Sequence, residues 1–255
     1  MYEIWIDFLI TLFVAVFIFL LGLSWPIIPK SYRQFHLRRF WGKSVLGDDF
    51  IISYGAFLDS RLIEPNPPPF RFVKRYTDGR IVQFIGPWGN VVADAEIRSA
   101  SYIINTLSKY RKKAIPVIDD RTAFDNLNRT FISIGSGSSN QITDLILREP
   151  NNVFLEFGQE DNTTFIRDKK SGKKFIGFQD PVRKDYGIVL KIPHLRFPGH
   201  FFFVCAGLGE WGTSGASWHL ATKWRHLQRE YGNNAFGIVV EVQLGSDESA
   251  HRIFP

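Results

Sequence analysis

The chain has few of the residues that build common metal and nucleophilic sites. It has 255 residues and one cysteine, Cys205, which excludes a disulfide framework and any metal site made of several cysteines. None of its six histidines occurs in an H-x-x-x-H or H-E-x-x-H pattern, and G-x-S-x-G is also absent. The sequence therefore predicts neither a helix-borne zinc site nor a Ser–His–Asp triad. Cys205 lies in an apolar segment and is interpreted as an inert core residue.

The net positive charge of the chain is concentrated in one short stretch. The chain has 31 basic and 25 acidic residues, a net charge of +6. Residues 26–47 hold five basic residues and no acid, which leaves 26 basic against 25 acidic residues elsewhere. A protein that grips nucleic acid spreads positive charge over a folded face, so nucleic acid is not expected as the main partner. The five clustered residues are Lys30, Arg33, Arg38, Arg39 and Lys43.

A long apolar run precedes that basic stretch. No residue from 8 to 29 is charged, and Trp5 and Trp25 bracket the run. About 20 apolar residues at a rise of about 1.5 Å span a bilayer core of about 30 Å, so residues 4–29 are predicted to contact lipid as a helix. Pro26 and Pro29 are expected to end it. A cleaved signal peptide is the alternative, but the basic leader and small cleavage residues are missing. A buried core helix is the third interpretation.

The basic cluster predicts the orientation of the anchor. Cations that follow a membrane helix favour the cytoplasmic side, so a short N-terminal tail is expected outside and the bulk of the chain in the cytoplasm. The cluster is also expected to meet anionic lipid headgroups, or to serve only as a topology signal. The predicted organisation is a cell-membrane protein with an anchor at 1–29, a basic juxtamembrane segment at 30–48 and a cytoplasmic α/β domain at 49–255.

The rest of the sequence alternates predicted strands and helices. Apolar segments at 49–57, 114–118, 130–134, 186–192, 201–206 and 236–242 are typical of strands. Periodic apolar residues predict helices at 93–112 and 213–231 and one that ends at 147, and glycine-bearing turns predict hairpins at 70–85 and 163–178. The segment 245–255 carries little signal. This pattern predicts a mostly parallel, Rossmann-like α/β sheet with inserted antiparallel hairpins.

The strongest candidate site is a glycine-rich turn after the apolar segment 201–206. Gly207, Gly209 and Gly212 form G-x-G-x-x-G between a predicted strand and a predicted helix. Glycines let a ligand approach the backbone, and the first amides of a helix attract anions. Thr213 and Ser214 are therefore predicted to cap the helix or to bind a phosphate. The alternative is a turn that packs tightly and binds nothing.

Another glycine-bearing turn, earlier in the chain, also follows a strand and opens a helix. Its amides and small hydroxyl side chains predict a further cradle for an anion or a ribose. The alternative is an ordinary N-cap in which Ser139 or Asn140 satisfies the helix amides. If both turns lie at the carboxyl edge of one parallel sheet, they flank the crevice where such folds bind ligands. The predicted ligand-binding residues of this turn are Gly135, Gly137, Ser138, Ser139 and Asn140.

Acidic residues supply the candidates for catalysis. Glu210 lies inside the glycine motif, where a carboxylate repels a phosphate unless it points away or acts on a sugar. Asp119 and Asp120 end a strand, where they either meet a ribose or a cation or are simply solvated. Glu241 comes 34 residues after Gly207, later than the offset of about 20 typical of a ribose-binding acid. Asp185 is interpreted as a surface residue.

Gly207, Gly209, Gly212 and Thr213 resemble the phosphate turn of the Rossmann-like nucleotide-binding superfold and, over about thirty residues, of SLOG-type sensor and phosphoribohydrolase domains. The hydrolases of that group have a glutamate where this chain has Ala216, so the resemblance does not imply their activity. It implies a nucleotide-binding sensor, of a kind that is tethered to membrane helices in bacterial defence systems.

Three functions follow as hypotheses. The first is a membrane-anchored domain that binds a nucleotide-like or phosphate-bearing ligand, oligomerises with copies of itself and reports to the anchor. The second is an enzyme that cleaves a glycosidic bond in NAD or a nucleotide, with Glu210 or Asp120 as its carboxylate. The third is an interaction module without a ligand, whose crevice is filled by side chains such as Trp211. No cofactor other than a nucleotide ligand is suggested.

Overall fold

The computed structural model describes residues 12–17, 19, 27–58, 71–75, 81–85, 90–161, 163–177 and 183–255. Residues 12–17 and 19 are helical and exposed. Within the described ranges, no helix is both long enough and apolar enough to cross a membrane. The predicted anchor is therefore unsupported, and most of its residues lie outside the described part of the chain.

The described elements alternate as an α/β protein. The helices are α1 (Ile27–Trp41), α2 (Asp94–Leu107), α3 (Asp120–Phe124), α4 (Gln141–Leu147) and α5 (Glu210–Tyr231), with a 3-10 helix at Lys43–Leu46. The strands are β1 (Phe50–Tyr54), β2 (Phe57–Leu58), β3 (Arg71–Arg75), β4 (Ile81–Ile85), β5 (Asn90–Val91), β6 (Val117–Asp119), β7 (Thr130–Ile134), β8 (Leu155–Glu160), β9 (Thr163–Asp168), β10 (Lys174–Ile176), β11 (Lys184–Pro193), β12 (Phe201–Gly207), β13 (Phe236–Gln243) and β14 (Ser246–Phe254).

The main sheet has seven strands in the order β14-β13-β11-β12-β7-β1-β6. The four strands β6, β1, β7 and β12 are parallel neighbours, whereas the pairs β12–β11, β11–β13 and β13–β14 are antiparallel. A separate antiparallel sheet contains β8, β9 and β10, and β3 pairs with β4 as the sequence predicts. The α/β class is confirmed, but the sheet is mixed, because β11 separates β12 from β13 and the segment 246–254 adds an edge strand.

Two apolar layers cover the two faces of the main sheet. In β12, Phe203 and Cys205 point to one face, and Phe202 and Val204 point to the other, as the period of a strand requires. Helices α1, α2 and α5 cover the first face. Helices α3 and α4 and the sheet β8–β10 cover the second. The buried position of Cys205 agrees with its interpretation as a core residue.

Helix α1 belongs to this core. Leu37, Phe40, Trp41 and Val45 are fully buried, and Phe40 and Trp41 pack against rings of β12 and α5. The packed core therefore already includes Leu37, and the division into a juxtamembrane segment and a domain from residue 49 stays a prediction. Pro29 does not end a helix but lies in the first turn of α1, where a missing amide costs nothing. Arg38, Arg39 and Lys43 of the basic cluster are exposed.

A buried lysine joins α1 to the end of α5. Lys191 has no exposed surface, and its Nζ donates to the carbonyl of Gly232, which follows α5, at 2.9 Å. The same ammonium lies 4.9 Å from the ring centre of Phe40 and 4.4 Å from that of Phe201. Burial, with a smaller contribution from Arg39, lowers the pKa of Lys191 to about 7.

This pKa predicts how stability varies with pH. Between pH 7 and pH 10.5 the unfolded chain holds a proton on residue 191 that the folded chain has lost, so stability rises with pH across that window. The free energy of unfolding of the wild type, relative to that of Lys191→Met, should increase by up to a few kcal/mol over this range. Urea unfolding at several pH values measures it, with Lys112→Met as the exposed control. A wild-type value that does not change relative to Lys191→Met would contradict the assignment.

Candidate functional site

The two glycine-rich turns, the first at residues 135–140 and the second at residues 207–212, lie side by side. β7 and β12 are parallel neighbours, with Ile134 opposite Cys205, and the amide of Gly135 donates to the carbonyl of Cys205 at 3.0 Å. Both strands therefore deliver their turns to the same carboxyl edge of the sheet. A crevice of about 280 Å³ lies between them, closed by the start of α2. Its lining residues are Ala93, Ala95, Glu96, Gly135, Ser136, Ser139, Gly207, Leu208, Gly209, Glu210 and Thr213.

A larger cleft adjoins this crevice. Its volume is about 560 Å³, and it shares Ser136, Gly207 and Leu208 with the crevice, so the two form one groove. The far wall of the cleft comes from β8 and β9, with Arg148 of the α4 end at one side. Gly137 and Ser138 of the first turn line this cleft and not the crevice.

The second turn has its own buried anion. Asp185 is fully buried and accepts from the amides of Gly212 at 2.6 Å, Tyr186 at 2.7 Å and Gly209 at 3.2 Å. The interpretation of Asp185 as a surface residue is wrong. The amides of Gly209 and Gly212, which are predicted from the sequence to bind a phosphate, donate hydrogen bonds to this carboxylate instead. Burial raises the pKa of Asp185, and its three backbone donors oppose that rise.

The hydroxyl residues that follow the motif also have partners. Thr213 Oγ1 accepts from the amide of Gly207 at 2.9 Å and donates to the carbonyl of Gly209 at 3.2 Å, so Thr213 closes the turn while it lines the crevice. Ser214 is fully buried and donates to Asp247, which also accepts from Arg98 at 3.0 Å. Ser214 does not line the crevice and instead ties α5 to α2 and β14. Ser214 as a ligand-binding residue therefore stays a prediction that this position does not support.

In the first turn, asparagine and serine have different roles. Asn140 is buried, caps α4 through the amides of Ile142 and Thr143, and donates to the carbonyls of Ser53 and Ile134. The alternative of an ordinary N-cap therefore holds for Asn140, whose side chain is fully engaged. The serines remain at the groove. Their hydroxyls contact one another: Ser136 Oγ lies 2.7 Å from Ser138 Oγ and 3.4 Å from Ser139 Oγ.

The two aspartates of the strand end are structural. Asp119 caps α3 by accepting from the amides of Arg121 and Thr122. Asp120 is buried and accepts from the amide of Gln141 at 2.9 Å and from that of Ala56 at 3.4 Å. Asp120 does not line the crevice but a small cavity of about 220 Å³, which adjoins the groove at Gly137, Ser138 and Ser139. Of the two candidate catalytic carboxylates, only Glu210 lines the crevice.

Glu96 is the crevice residue that the sequence analysis missed. It is 3% exposed in the first turn of α2, and its Oε2 is buried without a hydrogen-bond partner. Burial first, and the nearby charge of Asp120 second, raise the pKa of Glu96 to about 8, against backbone hydrogen bonds from Gly55 and Ala93. The carboxyl is therefore mostly protonated at neutral pH. A glutamate in a first helical turn looks like a solvated residue in sequence, since acids are common there.

Glycines make room for this carboxyl. A Cβ at Gly135 would lie 2.6 Å from Glu96 Oε1, and one at Gly55 would lie 2.0 Å from the carbonyl oxygen of Ser139. Gly135 also has a φ of +101°, a conformation that other residues rarely adopt. The glycine that opens the first turn is thus required both by the turn and by the side chain from α2.

The crevice is lined by two acidic side chains, Glu96 and Glu210, and by no basic one among the lining residues described. In the adjoining cleft Arg148 lies 2.9 Å from Asp144, with most of its side chain exposed. Within the described ranges, no group of His, Cys, Asp and Glu side chains could hold a metal ion. Trp211 does not fill the crevice. Its ring lies 4.5 Å from the guanidinium of Arg98, and neither residue is part of the crevice lining.

Removing the carboxylate of Asp185 tests its structural role. Asp185→Ala leaves one buried and two partly buried amide donors without their acceptor, so the free energy of unfolding should fall by about 3 kcal/mol. Glu248→Ala, at an exposed position, is the control and should change stability little. Urea unfolding followed by far-UV circular dichroism compares them. Equal stability of the two variants would mean that the turn does not depend on Asp185.

The pKa of Glu96 predicts a stability change of opposite sign to that of Lys191. Between pH 4.5 and about 8 the folded chain keeps a proton on Glu96 that the unfolded chain loses. The stability of the wild type relative to Glu96→Gln should therefore be highest below pH 4.5 and fall as the pH rises to about 8. Urea unfolding of both proteins across this range measures it. A difference that stays constant across this range would show that Glu96 is ionised in the folded protein as it is in the unfolded chain.

The glycine turns, Glu96 and Glu210 are the parts from which a function can be inferred. No family model matches this chain, and no curated protein and no solved structure matches it. The likeness of Gly207, Gly209, Gly212 and Thr213 to SLOG-type domains therefore stays a prediction.

Proposed function

We propose that the groove binds a nucleotide-like, phosphate-bearing small molecule. The observation that carries this proposal is the meeting of both glycine-rich turns at one crevice, at the carboxyl ends of two parallel strands. Ligands of open α/β sheets bind at this edge. Combined with the adjoining cleft, the groove is in the size range of small-molecule sites.

The charges of the groove suggest how such a ligand lies. The crevice end has Glu96 and Glu210 and no cation, which suits the hydroxyls of a sugar better than a phosphate. Asp185 already accepts hydrogen bonds from the amides of Gly209 and Gly212. A phosphate at these amides would have to displace the carboxylate or be repelled by it. The phosphate is placed instead on the first turn, near Ser136 and Ser138, with Arg148 beside it.

A sensor role completes this proposal. Helix α5 begins at the crevice and packs further along against α1, where Trp224 lies near Phe40. Ligand binding at one end of the domain is thus joined by packed elements to the segment that follows the apolar run 8–29. In the proposed function that run anchors the protein in the cell membrane, with the domain in the cytoplasm, and binding promotes association of copies of the chain.

Glu96 favours a second candidate, an enzyme that cleaves the glycosidic bond of NAD or a nucleotide. A carboxyl that stays protonated near neutral pH can donate a proton to a leaving base, and Glu210 offers an exposed carboxylate in the same crevice. In this version of the second hypothesis Glu96 replaces Asp120, which faces another cavity.

Thermal unfolding of the full-length chain with ribose 5-phosphate, AMP and NAD tests binding. A ligand at about 100 times its Kd should stabilise the protein by about 2.7 kcal/mol. Ser136→Leu, which fills the point where crevice and cleft meet, should abolish this shift. Ser101→Leu, exposed on α2, should keep it.

The same mixtures separate the two candidates. Release of free base, lost in Glu96→Gln, would favour the enzyme, whereas binding without release favours the sensor. A shift that survives in Ser136→Leu would place the ligand elsewhere, and no shift with any of the three compounds would refute a nucleotide-like ligand.

A further inference from the structure

Another cavity lies between α1 and α5, at the opposite end of α5 from the crevice. Its volume is about 290 Å³. Glu210, at the crevice, and Arg225, at this cavity, are 15 residues apart in one helix, which corresponds to about 22 Å. The cavity is lined by Tyr32, His36, Tyr110, Trp224, Arg225, Gln228 and Arg229.

The cavity has cations and no anions. Arg225 and Arg229 line it, and none of its lining residues in the described chain is acidic. Neither arginine has a carboxylate partner among the described residues, whereas the neighbouring Glu230 is paired with Arg252 at 2.8 Å. Two guanidinium groups beside one cavity without a counter-charge attract an anion.

Aromatic rings hold one of these cations in place. The Arg225 guanidinium lies 4.9 Å from the ring centre of Trp224 and 5.8 Å from that of Tyr110, and it donates to the Tyr110 hydroxyl. An arginine that stacks on rings keeps its remaining donors free for an oxygen ligand. The rings also give the cavity apolar walls, which suit a ligand with an uncharged portion beside its anionic group.

Helix α1 completes the wall on the other side. The ring of His36 is held by a hydrogen bond from Nδ1 to Gln228 Oε1 at 3.0 Å and by edge contact with Tyr32, at a centroid distance of 4.3 Å. Because an amide oxygen only accepts, Nδ1 is the donor and the ring orientation is set. Tyr32 and His36 are one turn apart, so both face α5 from the helix that carries the exposed cations Arg38 and Arg39.

We propose that this cationic–aromatic cavity binds a phosphate group that is attached to a small apolar portion. Guanidinium groups bind phosphate oxygens through paired N–H donors, and the volume fits a phosphate with a small substituent and not a whole nucleotide. The source of the phosphate is either a soluble phosphomonoester or the headgroup of an anionic lipid. The site is independent of the groove, which has the opposite charge at its crevice end.

The test uses the full-length chain and two probes. Phenyl phosphate represents the soluble phosphomonoester, and phosphatidylcholine vesicles with or without phosphatidic acid represent the headgroup. The variants are Arg225→Gln and Arg229→Gln, and the matched control is Lys223→Gln, which removes one positive charge from an exposed position of α5 outside the cavity. Thermal unfolding reports the soluble probe, and vesicle flotation reports the lipid.

Each arginine substitution should weaken binding about fivefold, since one cation near a phosphate surface contributes about 1 kcal/mol, and Lys223→Gln should bind like the wild type. A loss with phenyl phosphate assigns the site to a soluble phosphomonoester. A loss seen only with phosphatidic acid assigns it to the headgroup.

Arg225→Gln could also disturb the packing of the Tyr110 and Trp224 rings. In that case Arg229→Gln decides whether the cavity binds phosphate, because Arg229 is exposed. The proposal is overturned if neither probe binds the wild type, or if Arg229→Gln binds both probes as tightly as Lys223→Gln does.

Discussion

The candidate site depends on a close approach of two backbones that a buried carboxylate holds together. A Cβ at Gly212 would lie 2.2 Å from the carbonyl oxygen of Tyr186, and one at Gly187 would lie 2.1 Å from that of Gly212. Helix α5 can therefore touch β11 only if both positions are glycine. Asp185 then receives the amides that this contact brings within reach. Gly212 is explained by packing, which was the alternative to ligand contact for the second turn.

Local signals in the sequence predicted most elements but not their order in space. The hairpin β3–β4, strand β7 and the helix after Gly209 agree with the periodicity of their own residues. The antiparallel position of β11 between β12 and β13 could not be predicted in this way. A buried apolar strand has the same composition whether it runs parallel or antiparallel to its neighbours. The same limit explains Asp185 and Glu96: each is buried by residues distant in the chain, so no pattern in its neighbourhood distinguishes it from a solvated acid.

The two cavities along α5 are lined by side chains of opposite charge, and each charge is the one that the helix dipole stabilises at that end. An acid, Glu210, lies in its first turn at the crevice, and Arg229 lies in its last turn at the cationic cavity. The helix dipole stabilises both charges, and at the end where Arg229 lies the Nζ of Lys191 donates to the carbonyl of Gly232. One helix thus separates a site suited to hydroxyls from a site suited to phosphate.

The contact between Gly212 and Tyr186 also limits how a ligand in the crevice can act on α1. The start of α5 is packed against β11 and bonded to Asp185, so it has no space to shift toward the sheet. Helix α2 is different, because Glu96 lines the crevice with an unpartnered oxygen. Further along, α2 is tied to α5, where Thr106 donates to the carbonyl of Ala221 at 3.1 Å. A ligand changes a conformation only through contacts that differ between two states. A ligand that engages Glu96 therefore acts on α2 first, and the face that α2 and α5 share is one route by which α1 can respond, beside its contact with β12.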